Sequence, residues 1–191
     1  IRRSMDISCC FQRCIHLISF CKNWELEVQA VSDVIRVGIA DMNTCTDGEM
    51  ITTVGLGSCV GVVLYEKSKN LAGLVHIMLP DSTKIRQNQN PLKFADTGIL
   101  ALIEELERKG LSRQRMLAKI AGGAKMFQFS SDSTMGNIGE KNVEAVRETL
   151  KQYGIRIAAE DVGLNYGRTI VFDPQTKELT IVTAGKKKHI I

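Results

Sequence analysis

A cysteine on a glycine-flanked bend and a histidine on the next apolar run are the residues best placed to do chemistry in this chain. Cys59 lies in Gly55-Leu56-Gly57-Ser58-Cys59-Val60-Gly61, and His76 lies in Leu74-Val75-His76-Ile77-Met78-Leu79-Pro80. The thiolate is the nucleophilic form of cysteine, but an ordinary cysteine is mostly thiol at neutral pH. An imidazole within hydrogen-bond reach takes that proton and later returns it to a leaving amine. The ring must be held in one tautomer. Thr52 and Thr53, one strand earlier, each offer a hydroxyl or carbonyl to its Nδ1 proton. Backbone N–H groups around Gly57, Ser58 and Cys59 can stabilise an oxyanion.

The elements that must position this pair form a hairpin. Val60 to Tyr65 is β-rich, Lys67-Ser68-Lys69-Asn70 is a polar turn, and Leu71 to Leu79 is β-rich again. If Glu66 stands opposite Leu71, Gly61 faces His76 and Cys59 is diagonal to His76 on the same face. A shift by two residues puts Cys59 directly opposite His76, and a slip by one sends them to opposite faces. On residue chemistry alone a structural reading is the commoner one. Free cysteines are among the most buried residues, and a histidine in an apolar run usually satisfies a core hydrogen bond.

Several blocks in order shift that balance. Arg36-Val37-Gly38-Ile39-Ala40-Asp41-Met42-Asn43, the Gly55–Gly61 bend, and Ala72 to Ser82 are followed by Ile120-Ala121-Gly122-Gly123-Ala124-Lys125-Met126-Phe127. Glu160-Asp161-Val162-Gly163 and Asn165-Tyr166-Gly167-Arg168 then close the series. Together they resemble the chemoreceptor glutamine deamidase family CheD, from about Val34 to near the C-terminus. The resemblance implies Cys59 as nucleophile, His76 as base and Thr53 as the group that orients it. It implies a protein-glutamine glutaminase acting on methyl-accepting chemotaxis receptors in the cytoplasm, with methylesterase activity on the same site. It also implies association with the chemotaxis phosphatase CheC, which leaves a non-catalytic adaptor as the alternative. A second glycine is expected after Gly163, where this chain has Leu164.

Composition bounds the rest. The 191 residues are 44% hydrophobic and 24% charged, ordinary for a globular protein, and the net charge of +4 is mild. Neither nucleic acid nor direct membrane insertion is expected, and no run reaches the roughly 18 apolar residues of a span. No cofactor and no metal are expected. Of the six cysteines, Cys9, Cys10, Cys14 and Cys21 crowd the first segment; with His16 they could chelate zinc, but their spacing is not that of a zinc finger or ribbon. Residues 1–33 have no clean period, and Gln12, Arg13 and His16 break any signal-peptide core. They are expected to be an extension, disordered or outside the native reading frame, ahead of a single domain over 34–191. Cys45 reads as an exposed turn thiol, or less plausibly as a resolving partner for Cys59 in a redox sensor.

Along that domain, 34–40 predicts a strand, 41–47 a turn, and 81–90 a polar loop whose Lys84, Asn88 and Asn90 can bind a substrate backbone. A helix is expected over 91–109, with Phe94, Ile99, Leu102, Ile103 and Leu106 as its core stripe. Met116 to Ala121 predicts a buried strand, and Gly122-Gly123 a close backbone approach beside the cysteine. Phe127 and Phe129 read as core, although the resemblance makes this side a docking surface. A second helix is expected over 142–153, then strands over 155–160, 168–172 and 178–183, and a disordered basic tail that leaves His189 without a role. The fold class is α+β, a layered α/β/β sandwich with a mixed sheet and two main helices, and the resemblance to the family implies a fold shared with cysteine-dependent deamidating toxins.

Overall fold

The computed structural model describes residues 34–84, 90–126, 138–183 and 188–191. The chain divides into two units, Ile1–Val34 and Ile35–Ile191, and the architecture is that of the second. Its centre is β4 (Val60–Glu66), buried at every residue. An unbroken apolar run of this kind belongs inside a sheet covered on both faces. Accordingly, β4 lies between β5 (Ala72–Ile77) and β6 (Met116–Gly122), with β2 (Met42–Cys45) and β7 (Arg156–Val162) at the edges. The β6–β7 pair is parallel and the others antiparallel, so this sheet is mixed.

Alternation sends successive β4 residues to different layers. Val60, Val62 and Leu64, with Val75 and Ile77 of β5, pack against α1 (Ala95–Arg108) and α2 (Ile138–Gln152). Val63, Tyr65 and Leu74 point the other way and meet Ile51, Leu56, Ile170 and Phe172. Those four belong to a second sheet, built from β1 (Val34–Val37), β3 (Met50–Leu56), β8 (Arg168–Phe172), β9 (Leu179–Thr183) and β10 (His189–Ile190), in the order β1-β3-β8-β9-β10. The protein is therefore α+β, with helices, mixed sheet and second sheet in that sequence. In α1, Ile99, Leu102, Ile103 and Leu106 form the buried stripe expected from their spacing. Truncating any one of them to Ala costs about 2–5 kcal/mol.

Four features depart from the sequence reading. The 41–47 segment contains strand β2, whose polar Met-Asn-Thr-Cys hides the pattern. The first helix begins after a short 3-10 turn, Pro91–Lys93, and not at Pro91 itself. The second helix starts a turn earlier than expected, at Ile138. In its first turn Gly139 allows a close approach, since a Cβ at that position would lie 2.6 Å from the Gly123 carbonyl oxygen. Finally, the tail contributes β10, with His189 opposite Ile181, and His189 Nε2 lies 2.8 Å from Asp161 Oδ2.

Leu164 stands in the left-handed region at φ 60°, directly after Gly163 at 75°. Its glycine-like backbone is held by the Lys125 N–H, which donates to the Leu164 carbonyl at 2.7 Å. A side chain there costs about 1–2 kcal/mol. Arg168 stabilises the same turn from beneath. It is buried, donates to Asp161 Oδ1 at 2.8 Å and to the Gly163 and Tyr166 carbonyls, and stacks on Tyr166 at 4.4 Å.

Candidate active site

The hairpin register is the first of the two open to the sequence. Val60 pairs with Ile77 and Gly61 with His76, so the Cys59 position is the diagonal neighbour of His76. Gly61 leaves room for the facing sheet: a Cβ would lie 2.7 Å from Ile170 Cδ1 and 3.0 Å from Leu56 Cδ1, so both side-chain ends would have to shift to admit one. Cys59 is half-buried and packs against the cluster between the two sheets. His76 is fully buried on β5 and reaches between the sheets to Thr53 on β3. Thiol and imidazole thus occupy the same inter-sheet side at one end of the hairpin.

Of the two candidate threonines, geometry selects Thr53. The Thr52 hydroxyl donates to the Ile170 carbonyl at 2.7 Å and is taken. Thr53 Oγ1 lies 2.8 Å from His76 Nδ1 and 2.8 Å from the Val37 carbonyl oxygen. A carbonyl only accepts, so the single hydroxyl proton goes to Val37 and Oγ1 accepts from Nδ1–H. That chain places the ring proton on Nδ1 and the free lone pair on Nε2. Nε2 is buried and has no hydrogen-bond partner among the described residues. A buried acceptor left open costs about 1–3 kcal/mol, an expense typical of groups kept for function. The Val37 carbonyl was invisible to sequence reasoning, because a backbone group carries no residue signature.

The strand carrying His76 is held from its other edge as well. The His76 N–H donates to the Asp41 carbonyl at 3.0 Å, and the Ala40 N–H donates to the His76 carbonyl at 3.1 Å. Burial alone drives the His76 imidazole from 6.5 down to about 4. Burial likewise pushes the Cys59 thiol up. Both shifts favour uncharged groups at rest, a thiol and a neutral imidazole. The folded state prefers neutral His76, so its contribution is fully present above about pH 6.5 and is lost as pH falls toward about 4. The loss approaches about 3 kcal/mol. Urea unfolding of the wild type and His76→Gln across this window is expected to give a shallower pH slope for the variant. Parallel curves would contradict the assignment.

Next to the thiol, successive carbonyls of the bend are fastened. The Gly57 oxygen accepts from Ala124 N–H at 2.7 Å, the Ser58 oxygen from Asn142 Nδ2 at 2.9 Å, and the Cys59 oxygen from Gly123 N–H at 2.7 Å. Gly122 lies so close that a Cβ would sit 2.2 Å from the Cys59 oxygen, the close approach expected of the glycine pair. The Gly57 N–H turns back to the Gly55 carbonyl at 2.9 Å, while the Ser58 and Cys59 N–H groups donate to no backbone carbonyl among the described residues, the Cys59 N–H facing its own sulfur.

Other sequence candidates fall away from the site. Cys45 is a buried β2 residue and not an exposed turn thiol, and burial pushes its thiol to about 12. It pairs with Ala72, at the opposite end of β5 from Ile77. Five residue steps along the strand separate the two ends by roughly 16 Å, far beyond a disulfide's Cα limit of about 7 Å. Asn90 is structural: Nδ2 donates to the Ala40 carbonyl and Oδ1 caps Leu92 N–H. Lys84 pairs with Asp81 at 3.2 Å. Asn88, Phe127, Phe129 and the cysteines and histidine of 1–33 lie outside the described residues. Asn142, which sequence reasoning missed, looks like an ordinary polar residue of a helix.

The site is thus an α+β protein's inter-sheet pair of tautomer-fixed imidazole and hydroxyl, with the Cys59 thiol packed against the same inter-sheet cluster. Residues 78–183 match the family model described as CheD chemotactic sensory transduction. A "Probable chemoreceptor glutamine deamidase CheD" of Lachnoclostridium phytofermentans is 55% identical over 161 residues, 84% of this chain and 100% of the relative. The "Chemoreceptor glutamine deamidase CheD" of Halalkalibacterium halodurans is 51% identical, covering 83% and 99%. The chain belongs to the CheD family. A stretch of 161 residues in a chain of 191 necessarily includes Thr53, Cys59 and His76. Among solved structures, the Neisseria meningitidis protein NMB0706, of family-model DUF152, aligns with a TM-score of 0.44 at 11% identity, over 74% of this chain and 69% of that one. No helix among the described residues is long and apolar enough to cross a membrane.

Proposed function

We propose that this chain deamidates glutamine side chains of methyl-accepting chemotaxis receptors through a Cys59 thioester. Membership of the CheD family supports the reaction and the substrate class. The observation that carries the mechanism is the His76 ring, its Nδ1 proton held by Thr53 and its Nε2 lone pair left without a partner among the described residues.

As Sγ bonds to the amide carbon, its proton passes to His76 Nε2. The amide oxygen becomes an oxyanion held by N–H groups of the Gly57-Ser58-Cys59 bend, where the Ser58 and Cys59 N–H groups are committed to no backbone carbonyl among the described residues. Collapse breaks the C–N bond, and the imidazolium gives its proton to departing ammonia. Water then attacks the thioester while His76 takes its proton, and the regenerated thiol leaves glutamate behind. The resting pair is neutral, so each proton moves as charge develops and not before. The half-exposure of Cys59 admits a protruding side chain.

Peptide mass spectrometry on a purified receptor cytoplasmic fragment tests this reading. Incubation with the protein should convert particular glutamines to glutamate and release ammonia in equal amount; an unchanged fragment would contradict it. The orienting role of Thr53 has its own test. Thr53→Val keeps the shape but removes the acceptor for Nδ1–H, freeing the tautomer. A fall in kcat of about 10- to 100-fold at unchanged KM is expected, whereas wild-type kcat would remove Thr53 from the mechanism.

A further inference from the structure

The β4–β5 ladder ends at Val60–Ile77, and beyond it the two chains part. The Cys59 bend leaves toward the end of β6, where its carbonyls meet the Gly123 and Ala124 N–H groups. The other branch leaves toward the 3-10 turn, and the Met78 and Leu79 N–H groups donate to the Lys93 carbonyl at 2.9 and 3.0 Å. Asn142, fully buried on α2, fills the fork. Its Nδ2 donates to the Ser58 carbonyl at 2.9 Å and to the Met78 carbonyl at 2.8 Å. Both partners are obligate acceptors, so the amide cannot be turned round. Asn142 Oδ1 is left buried without a partner among the described residues. An unpaired oxygen is a stability cost of about 1–3 kcal/mol, tolerated here for the sake of the two donated bonds.

The bond to the Ser58 oxygen has a directional consequence. A trans peptide is planar, with its N–H antiparallel to its C=O. The Ser58 carbonyl and the Cys59 N–H belong to one peptide, so fastening the first aims the second away from α2. The bond to Met78 ties the same clamp to the strand two residues past His76. We propose that Asn142 is a positioning residue for the reaction: its carboxamide sets the orientation of the Cys59 N–H as an oxyanion donor and holds the nucleophile bend against the histidine strand.

The inference rests on the deamidase reading and deepens it. Asn142→Asp and Asn142→Ala are compared with wild type and Cys59→Ala for ammonia release from a receptor cytoplasmic fragment, with the folded fraction of each followed by thermal melting. Oxyanion stabilisation is realised only in the transition state, so kcat per folded molecule should fall about 100-fold while KM stays within a factor of about three. Asn142→Asp, nearly the same shape without the N–H donors, should fall as far as Asn142→Ala. A merely space-filling Asn142 predicts instead that Asp restores wild-type kcat, or that both losses vanish once corrected for unfolded protein; either result overturns the proposal. Full activity in Cys59→Ala would overturn the deamidase reading itself, and with it this inference.

Discussion

Cys59→Ala protein is expected to release ammonia from a receptor fragment at least about 10⁴-fold more slowly than wild type, with its fold intact. The size of the effect follows from the absence of a substitute. Among the described residues the other cysteine is Cys45, buried with its thiol pushed to about 12 and separated from the bend by most of a strand. Without Sγ 59 there is no acyl intermediate, and His76 would have to drive water directly at an unactivated amide. Stability should change by no more than about 1 kcal/mol, because the side chain is small and half-exposed. Dead enzyme with an unchanged melting curve is the predicted combination. A residual rate within tenfold of wild type would mean that another group carries the acyl transfer.

His76→Gln should lower kcat/KM by about 10²- to 10⁴-fold, the range of a general base used in both half-reactions. Glutamine is the informative replacement. Its side-chain amide can still donate to Thr53 Oγ1, preserving the link to Val37, but it offers no lone pair that can accept a proton at neutral pH. The variant separates proton transfer from packing, which His76→Ala would not. Its expected signature is a lost rate with a folded structure and a flattened pH dependence of stability between about 6.5 and 4. Steady-state rates at matched folded fraction check it, and wild-type kinetics in His76→Gln would leave the imidazole a core group and nothing more.

The hairpin was legible because its two apolar runs and polar turn are local, but its register stayed open among alternatives until the Tyr65–Ala72 pairing placed Gly61 opposite His76. The α1 stripe was legible for a similar reason, since Ile99, Leu102, Ile103 and Leu106 repeat at helical spacing. Partners that arrive from far along the chain left no such trace. β2 is a polar edge strand, where Lys109 of the first helix's C-cap donates to Thr44 Oγ1 at 2.8 Å. β10 reads as a charged tail until Asp161 and the β9 ladder receive it. In the site, Cys59 and His76 stood out as a candidate pair by residue type, while the choice of Thr53 over Thr52 came from the family resemblance. The Val37 carbonyl that fixes the tautomer and the Asn142 amide that fixes the bend were not legible. One is backbone, and the other becomes meaningful only when α2 lies beside Ser58 and Met78.

The account turns on a covalent bond between Sγ 59 and the acyl carbon of a receptor glutamine, and trapping that bond tests it most directly. Wild-type protein mixed with a receptor cytoplasmic fragment is quenched in acid during turnover, digested and read by mass spectrometry. A receptor peptide joined to the Cys59 peptide through its former glutamine side chain, and released by hydroxylamine, is the predicted result. Glutamate accumulating at the normal rate while Cys59 stays unmodified at every quench time, and while Cys59→Ala performs as well, would contradict the mechanism.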